Sequence, residues 1–246
     1  MGENNFITWR KNNDSEILQA SRKARNTFKY FWYQVALDFN RIVPALQLAS
    51  VKALFFEDSS DPNSQIEHMW VDRINFDGVS ITGVLINSPH YLTSVKEGDE
   101  VAFSLDRLDD WLCMLCGEIY GGYTIQVIRS RMDDRERQQY DEAWSLPFPQ
   151  PDIVLVPECD RVFETKIAHM LAEHIKQEPK TTKIIADDGR SLLHLESLYG
   201  KTECVKVLLE HGVSPMAECD RGWTPLDYAR VLEWSDIVAL LEEKVE

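Results

Sequence analysis

The C-terminal quarter of the chain repeats its own pattern at a fixed interval, and this limits the possible folds more than any other feature. Gly189 and Gly222 are 33 residues apart, and the apolar segment 204–209 matches 237–242 at the same offset. A period of this length is typical of proteins built from stacked copies of one small unit. Because each copy has an apolar face that only a neighbouring copy can cover, the pattern predicts a stack of helices.

Each copy opens with a short motif, which reads Ser191-Leu192-Leu193-His194 in the first copy and Thr224-Pro225-Leu226-Asp227 in the second. At this period the motif resembles the start of an ankyrin repeat, a turn followed by two helices. Thr224 can cap a helix, and Pro225 fits the first helical turn because that position needs no backbone donor. The first copy lacks the proline and the second lacks the histidine. The resemblance implies a surface that binds another protein.

Two copies are fewer than such a stack normally needs, since at least three are required to bury a continuous core. We therefore expect a helix over 163–177 to cover the open end as a degenerate first copy. A cluster of prolines between 147 and 151 predicts a domain boundary. The predicted domains are an α+β domain at 1–150, a linker with the capping helix at 151–185, and two ankyrin-type repeats at 186–246.

The first 150 residues predict one long helix followed by strands. Between Asp14 and Pro44 apolar residues recur every three or four positions, which is typical of an amphipathic helix. Residues 45–115 contain several short apolar runs of period two, with Asp77-Gly78 as a hairpin turn and 57–64 as a loop. The predicted fold class is α+β: a helix packed on a twisted, mainly antiparallel sheet, followed by a short α-helical ankyrin-repeat stack.

This first part of the chain has a series of turns and core aromatic residues in Glu67 to Trp70, Gly83 to Pro89, Gly98 to Val101, Asp109 to Trp111 and Gly121 to Thr124. In these segments it resembles the bacterial family known as domain of unknown function 2314, over about residues 15–145. The resemblance implies a bacterial origin and an α+β fold, and no assigned activity. Proteins with ankyrin arrays recur among the immunity proteins of bacterial toxin systems, which makes toxin neutralisation a candidate function.

The acidic balance of the chain limits the class of partner. The formal net charge is −15 at pH 7, which disfavours nucleic acid and anionic membranes, since both attract basic surfaces. It favours a basic protein partner such as a toxin or effector, although acidity also serves simply to keep a protein soluble. The N-terminus has no apolar region typical of a signal peptide, and five cysteines without such a signal suit a reducing compartment. We therefore expect a cytoplasmic protein.

The sequence predicts a protein that is not an enzyme and holds neither a metal nor a cofactor. Cys113 and Cys116 form a CxxC motif without a second ligand pair, so we expect buried core thiols. His68 and His90 flank strands and could approach each other. An acidic cluster, Asp106 with Asp109 and Asp110, could do acid–base work, but a capping or turn role is the stronger expectation.

Two sets of residues are candidates for binding. The predicted partner-binding residues are Arg190, Arg221, Trp223 and Arg230. Trp223 takes a variable position that ankyrin proteins commonly present to partners, or alternatively packs on the neighbouring repeat. We expect Trp234, assigned to the glycine position between the paired helices, to cover the C-terminal end of the array.

Arg129 and Arg131 are the predicted ligand-binding residues, because they follow a glycine-turned helix start that could hold an anion. The sequence thus leaves two hypotheses. The first is a non-enzymatic protein-recognition module, with an immunity protein that neutralises a toxin as its most specific form. The alternative is a small-anion sensor whose ankyrin stack relays binding.

Overall fold

The structure is a computed structural model that describes residues 14–58 and 64–245. Most of the predicted loop at 57–64 and the N-terminal segment inspected for a signal peptide lie outside the described residues. None of the helices in the described part combines the length and the apolar character needed to traverse a bilayer.

The chain divides into two compact units, which differ from the predicted domains in one respect. Among the described residues, unit 1 holds those up to 31 and those between 43 and 157, and unit 2 holds 32–42 and those from 158 onward. Residues 32–42 were assigned by the sequence to the first domain, whereas in the structure they group with the helices of unit 2.

A six-stranded antiparallel sheet forms the centre of unit 1. Its strands are β1 (Leu46–Phe56), β2 (Ile66–Phe76), β3 (Ser80–Leu85), β4 (Glu100–Ser104), β5 (Leu108–Leu115) and β6 (Glu118–Gly121). They lie in the order β4-β3-β2-β1-β5-β6. The helices are α1 (Ser15–Asp38), α2 (Tyr123–Ser130) and α3 (Asp134–Trp144). This arrangement confirms the predicted α+β class.

The part of α1 that belongs to unit 1 packs on one face of the sheet. Its buried side chains follow the helical period: Ile17, Ala20, Ala24, Phe28 and Phe31. The ring of Phe28 meets Phe76 edge-on at 5.5 Å, and the indole nitrogen of Trp111 donates to the carbonyl of Ala24 at 2.9 Å. Each fully buried aromatic ring stabilises the fold by roughly 1.5–3 kcal/mol.

The other face of the sheet is covered by α2, α3 and the segment that follows α3. Trp70 and Leu112 alternate with residues that face α1, so they point to this second side. They form a cluster with Ile125, and Trp144 packs edge-on against Trp70 at 5.7 Å. The sheet is therefore enclosed on both faces, which places some of its polar residues in the interior.

Two turns position the strands. The carboxylate of Asp77 accepts the backbone N–H groups of Val79 and Ser80 at 2.9 and 2.8 Å, which confirms the predicted hairpin between β2 and β3. At the end of β6, Gly121 adopts φ 78°, and a Cβ there would lie 2.2 Å from the carbonyl oxygen of Trp111. Only glycine fits this position, so the chain can turn directly from β6 into α2.

Unit 2 is helical. It contains α4 (Arg161–Gln177), α5 (Leu192–Tyr199), α6 (Thr202–Glu210), α7 (Pro225–Val231) and α8 (Ser235–Val245), with a 3-10 turn at Pro179–Lys183. Helix α5 packs against α7, while α6 packs against both α4 and α8. The first and second helices of the repeats thus form two parallel rows, as the ankyrin resemblance predicts.

Residues 32–42 group with unit 2 because their side chains find their partners there. The ring of Trp32 lies 5.8 Å from that of Tyr199, and the ammonium of Lys201 donates to Asn40 at 2.8 Å. The hydroxyl of Tyr33 donates to the carboxylate of Glu164 at 3.0 Å. These contacts join sequence positions that are far apart, so the local pattern of the sequence does not indicate them.

Glu164 is a fully buried carboxylate that connects α4 to α6. Beside the bond from Tyr33, it accepts the guanidinium of Arg161 at 2.8 Å and the backbone N–H of Glu203 at 2.6 Å. Glu203 lies in the first turn of α6, where backbone donors have no partner within the helix. The carboxylate therefore satisfies a free helix end from a neighbouring helix.

The expectation for Trp234 is wrong. Its ring is buried against Gly200, where a Cβ would lie 2.3 Å from the indole, and its nitrogen donates to the carbonyl of Leu198 at 3.3 Å. Trp234 thus packs inward on the preceding repeat instead of covering the end of the array. The residue that is 33 positions after Gly200 is Glu233, which takes the same left-handed conformation at φ 53°.

Candidate recognition surface and a polar cavity

The two turns that precede α5 and α7 form a pair of short projections, here called the finger surface (residues 183–190 and 216–223). Each turn closes on itself through a backbone bond, from Ala186 to Arg190 at 2.8 Å and from Cys219 to Trp223 at 3.0 Å. The backbone N–H of Asp220 donates to the carbonyl of Asp188 at 3.1 Å. This bond joins the two turns side by side, so they present one continuous surface.

The finger surface combines exposed apolar and acidic side chains. Its apolar members are Ile184 (52% exposed), Ile185 (64%) and Met216 (57%). Its exposed acidic members are Asp187, Glu218 and Asp220. The basic residues Lys183 and Arg221 are exposed there as well. Exposed apolar groups with polar groups around them are typical of a site that another protein covers.

Three of the four predicted partner-binding residues lie in the finger surface. Arg190 is half-buried and pairs with Asp188, Nε to Oδ2, at 2.7 Å. Arg221 is exposed. Trp223 is half-buried, and its ring meets that of Tyr228 at 5.3 Å. The side chain therefore contacts its own repeat and still presents part of its surface.

Arg230 is placed apart from these three. It lies at the end of α7 and pairs with Glu242 of α8 at 2.7 Å, with both side chains about half exposed. The binding roles of all four residues stay predictions.

His194 holds the two repeats together beneath the finger surface. The backbone N–H of Ser191 donates to its Nδ1 at 3.0 Å, and its Nε2 lies 3.1 Å from the carbonyl oxygen of Trp223 in the next repeat. Because Nδ1 accepts, the ring proton is on Nε2, and the ring is neutral. Burial lowers the pKa of His194, which preserves this neutral form.

Arg129 is buried and its guanidinium is engaged by the protein. Its Nε and Nη2 both donate to the carboxylate of Asp141 at 2.7 Å. Nη1 donates to Gln126 and to the carbonyl of Pro149. An external anion would have to displace Asp141, so this geometry adds no support to a ligand-binding role, which stays a prediction.

Arg131 is about half exposed and forms ion pairs with Asp14 and Glu16 at the start of α1. The hydrogen bond from Arg131 lowers the pKa of Asp14 to about 2. The pairing fastens α2 to the first turn of α1. It does not bring Arg131 together with Arg129, which faces α3.

The glycine-turned start of α2 does hold a carboxyl group, but it is that of the chain's own Asp110. This carboxylate is fully buried and accepts the backbone N–H groups of Tyr123 and Thr124 at 3.0 and 2.7 Å. Burial raises the pKa of Asp110, and the nearby Lys52 opposes that effect. The predicted capping role of the acidic cluster is confirmed for Asp110.

Asp109, the adjacent residue in β5, is the centre of a second buried polar group. Its Oδ1 accepts the hydroxyl of Ser21 at 2.6 Å, while Oδ2 lies 3.0 Å from Nδ1 of His68 and 3.4 Å from the ammonium of Lys52. Asp109 is 2% exposed and Lys52 is 6% exposed. The group is therefore an interior ion pair whose carboxylate also has hydrogen-bond partners in Ser21 and His68.

This group opens into a cavity of about 380 Å³ within unit 1. His68, Asp109 and Ser21 line one part of it, together with Arg25 and Asp106. The arrangement does not form a nucleophile–base pair, because the serine and the histidine both bind the same carboxylate and not each other. The cavity can bind and orient a molecule through fixed polar groups.

The sequence indicates some of these residues and misses others. Asp106 and Asp109 were noted as an acidic cluster, and His68 was noted as a residue that could approach His90, whereas its Nδ1 lies 3.0 Å from the carboxylate of Asp109. Lys52 and Arg25 carry no local signal, since an isolated basic residue in a strand or helix is usually exposed. Only the pairing of β1 with β5 brings Lys52 to Asp109.

The predicted pair of core thiols is half correct. Cys113 is buried and Cys116 is exposed, and both are free. Burial raises the pKa of the Cys113 thiol to about 12, so it is neutral and inert at physiological pH.

Comparison with known proteins identifies two families along the chain. Residues 14–148 match the family described as an uncharacterized protein conserved in bacteria, domain of unknown function 2314. Residues 163–245 match the family described as ankyrin repeats (3 copies). This match begins inside α4.

Two curated proteins are similar to this chain. A protein described as an ankyrin repeat protein of Neisseria meningitidis serogroup B is 36% identical over 248 residues, and the match covers 94% of each chain. An uncharacterized protein of Escherichia coli, YegJ, is 32% identical over 66 residues, which cover 27% of this chain and 43% of that protein.

Proposed function

The chain belongs to the bacterial family of domain of unknown function 2314, and we propose that it binds a basic protein through the finger surface. It also carries an ankyrin-repeat module for protein interaction. The proposed role is recognition without chemistry. In its most specific form the chain is an immunity protein that blocks a toxin by covering its basic site.

The observation that carries the proposal is the composition of the finger surface. Ile184, Ile185 and Met216 together expose more apolar surface than an isolated surface residue would. Burying such a group against a partner supplies roughly 25 cal/mol for each Å² removed from water. The backbone bond between Asp220 and Asp188 holds the two turns in place before binding, which reduces the entropy lost on association.

The charge of the finger surface supports a basic partner. On the finger surface the exposed acidic residues outnumber the exposed basic ones, with Asp187, Glu218 and Asp220 against Lys183 and Arg221, and the whole chain carries a net charge of −15. Complementary charge accelerates encounter and disfavours acidic competitors. We therefore expect the association rate to fall as the salt concentration rises, since ions screen charges beyond about 10 Å at 0.1 M.

Affinity capture from the native bacterium with the full-length chain tests the proposal. We expect one basic protein to bind the wild type and to be lost, by at least tenfold in affinity, when Ile185→Asp and Met216→Asp are combined. Met170→Asp is the matched control, because Met170 is 70% exposed on α4 and lies outside the finger surface. Equal capture by all three proteins would contradict the proposed surface.

The proposal that the chain is an immunity protein is tested by a functional assay with the captured partner. If that protein is toxic or enzymatically active, adding the wild-type chain in equal amount should abolish its activity. The finger variant should leave the activity intact, whereas the Met170→Asp control should inhibit like the wild type. If the partner binds the finger surface and keeps full activity, the proposal of protein recognition stands and the proposal of inhibition fails.

A further inference from the structure

The cavity of unit 1 lies in a different part of the chain from the finger surface, and protein recognition does not account for it. Its volume, about 380 Å³, is within the range of small-molecule sites. Three carboxylates and one guanidinium line it, and the partners of these groups decide which ligand it can hold.

Two of the three carboxylates have cationic partners within the protein. Asp14 pairs with Arg131, which is not a lining residue. Asp109 pairs with Lys52 and also accepts from Ser21. Their charges are compensated, so neither carboxylate requires a cationic ligand.

Arg25 and Asp106 differ from these. Arg25 is half-buried and donates through Nη1 to the carbonyl of Leu108 at 2.6 Å, and no carboxylate among the described residues pairs with it. Asp106 is exposed and accepts the hydroxyl of Ser104, and within the described part of the chain it has no cationic partner. The cavity thus presents one uncompensated positive group and one uncompensated negative group, which do not pair with each other.

His68 adds a directed acceptor. Its Nδ1 faces the carboxylate of Asp109 at 3.0 Å, which favours the tautomer with the proton on Nδ1. In that tautomer Nε2 accepts hydrogen bonds, and it has no partner among the described residues. The remaining wall is aliphatic and includes Ile17, Leu54 and Ile66.

We propose that this cavity binds a small zwitterion with an aliphatic body, the chemistry of a free aliphatic amino acid. Arg25 holds the carboxylate of the ligand. Asp106 and Nε2 of His68 accept from its ammonium group, and the aliphatic wall covers the side chain. A planar guanidinium suits this role because it donates two parallel hydrogen bonds to a carboxylate.

Calorimetric titration of the full-length chain with L-leucine tests this proposal. The matched probes are 3-methylbutylamine, which lacks the carboxylate, and 4-methylpentanoate, which lacks the ammonium. We expect leucine to bind and each probe to bind at least tenfold more weakly. Equal binding of the amine would overturn the proposal in favour of a simple cation site, and equal binding of the acid would overturn it in favour of an anion site.

Three variants locate the site. Arg25→Gln and Asp106→Asn should each weaken leucine binding by roughly tenfold or more, as expected when one partner of a charge-assisted bond is removed. Arg22→Gln is the control, since Arg22 is exposed on the same helix and does not line the cavity. Asp106 is exposed, so its variant keeps the test valid if Arg25→Gln fails to fold. Absence of leucine binding to the wild type, or unchanged binding in Asp106→Asn, would overturn the proposal.

Discussion

His194 illustrates how a single side chain can make one repeat depend on the next. Both nitrogens of the ring have partners: Nδ1 accepts from Ser191 at the start of its own helix, and Nε2 faces the carbonyl oxygen of Trp223 in the finger surface of the next repeat. The ring must stay neutral for this arrangement, because a proton on Nδ1 would remove the acceptor that Ser191 uses. The pKa of His194 is lowered by burial, in agreement with this requirement.

This lowered pKa predicts that acid destabilises unit 2. The unfolded chain binds a proton near the ordinary histidine pKa of 6.5, whereas the folded ring resists it. The stabilisation is therefore complete above pH 6.5 and is lost as the pH falls toward the folded pKa. Urea unfolding at pH 7.5 and 5.5 should show a larger loss of stability for the wild type than for His194→Gln. An equal loss in both proteins would refute this role.

Glu233 predicts a stabilising substitution. It adopts φ 53° at the position where the preceding repeat has Gly200, and this left-handed region costs an ordinary residue roughly 1–2 kcal/mol. Glu233→Gly should be more stable than Glu233→Ala by about 1 kcal/mol in thermal or urea unfolding. The alanine variant removes the same side chain and keeps the strain, so the difference between the two isolates the backbone. A more stable alanine variant would contradict the argument.

At the scale of the element, α4 and α6 are joined by one carboxylate. Removing Glu164 would leave the guanidinium of Arg161 and a donor of the α6 N-terminus without their partner. Arg161 is 40% exposed and can bind water instead, so the loss comes mainly from the donors of Tyr33 and Glu203, at roughly 1–3 kcal/mol for each one left without an acceptor. We expect that loss in the unfolding free energy of Glu164→Ala. Glu164→Gln should lose less, because its amide oxygen still accepts; equal losses would show that packing dominates.

The helices and most strands could be predicted from the sequence because their apolar periods are regular. Helix α1 follows its pattern from Ile17 onward, and the turn at Asp77 is encoded by a local dipeptide. Strand β6 was not predicted, since it has four residues and ends in glycine. Asp109 and Asp110 were expected outside strands, because acidic residues are rarely buried. Their burial depends on partners from other elements, which a local pattern does not contain.

The candidate sites show the same limit. Arg190, Arg221 and Trp223 were chosen as candidates because a repeat fixes their positions along the chain, and their binding roles stay predictions. The exposed apolar residues Ile184, Ile185 and Met216 were not predicted. Arg129 was predicted as an anion-binding residue because it follows a glycine-turned helix start. The sequence did not show that Asp110 already occupies that helix start. It also did not show that the carboxylate of Asp141, twelve residues after Arg129, pairs with the Arg129 guanidinium. The cavity was missed for the same reason, since α1, β2 and β5 each supply part of its lining.

On the scale of the whole molecule, unit 2 is discontinuous in sequence. Residues 158–246 expressed alone lack Tyr33 and Trp32, so we expect lower helicity by circular dichroism than the folded helices would give. Adding a peptide of residues 29–42 should restore helicity. A peptide with Tyr33→Phe should restore less, because it cannot donate to Glu164. A fragment 158–246 that is fully helical without the peptide would contradict this prediction.

Discontinuity also sets an order of events during synthesis. Residues 32–42 leave the ribosome more than one hundred residues before Glu158, the point at which the rest of unit 2 begins. Synthesis proceeds at roughly 5–20 residues per second, so Trp32 and Tyr33 are made on the order of ten seconds before their partners in unit 2. Throughout that interval these two aromatic side chains, which are buried in the folded protein, are exposed on the nascent chain. A chaperone that binds exposed aromatic segments has its natural target there, before the C-terminal helices exist.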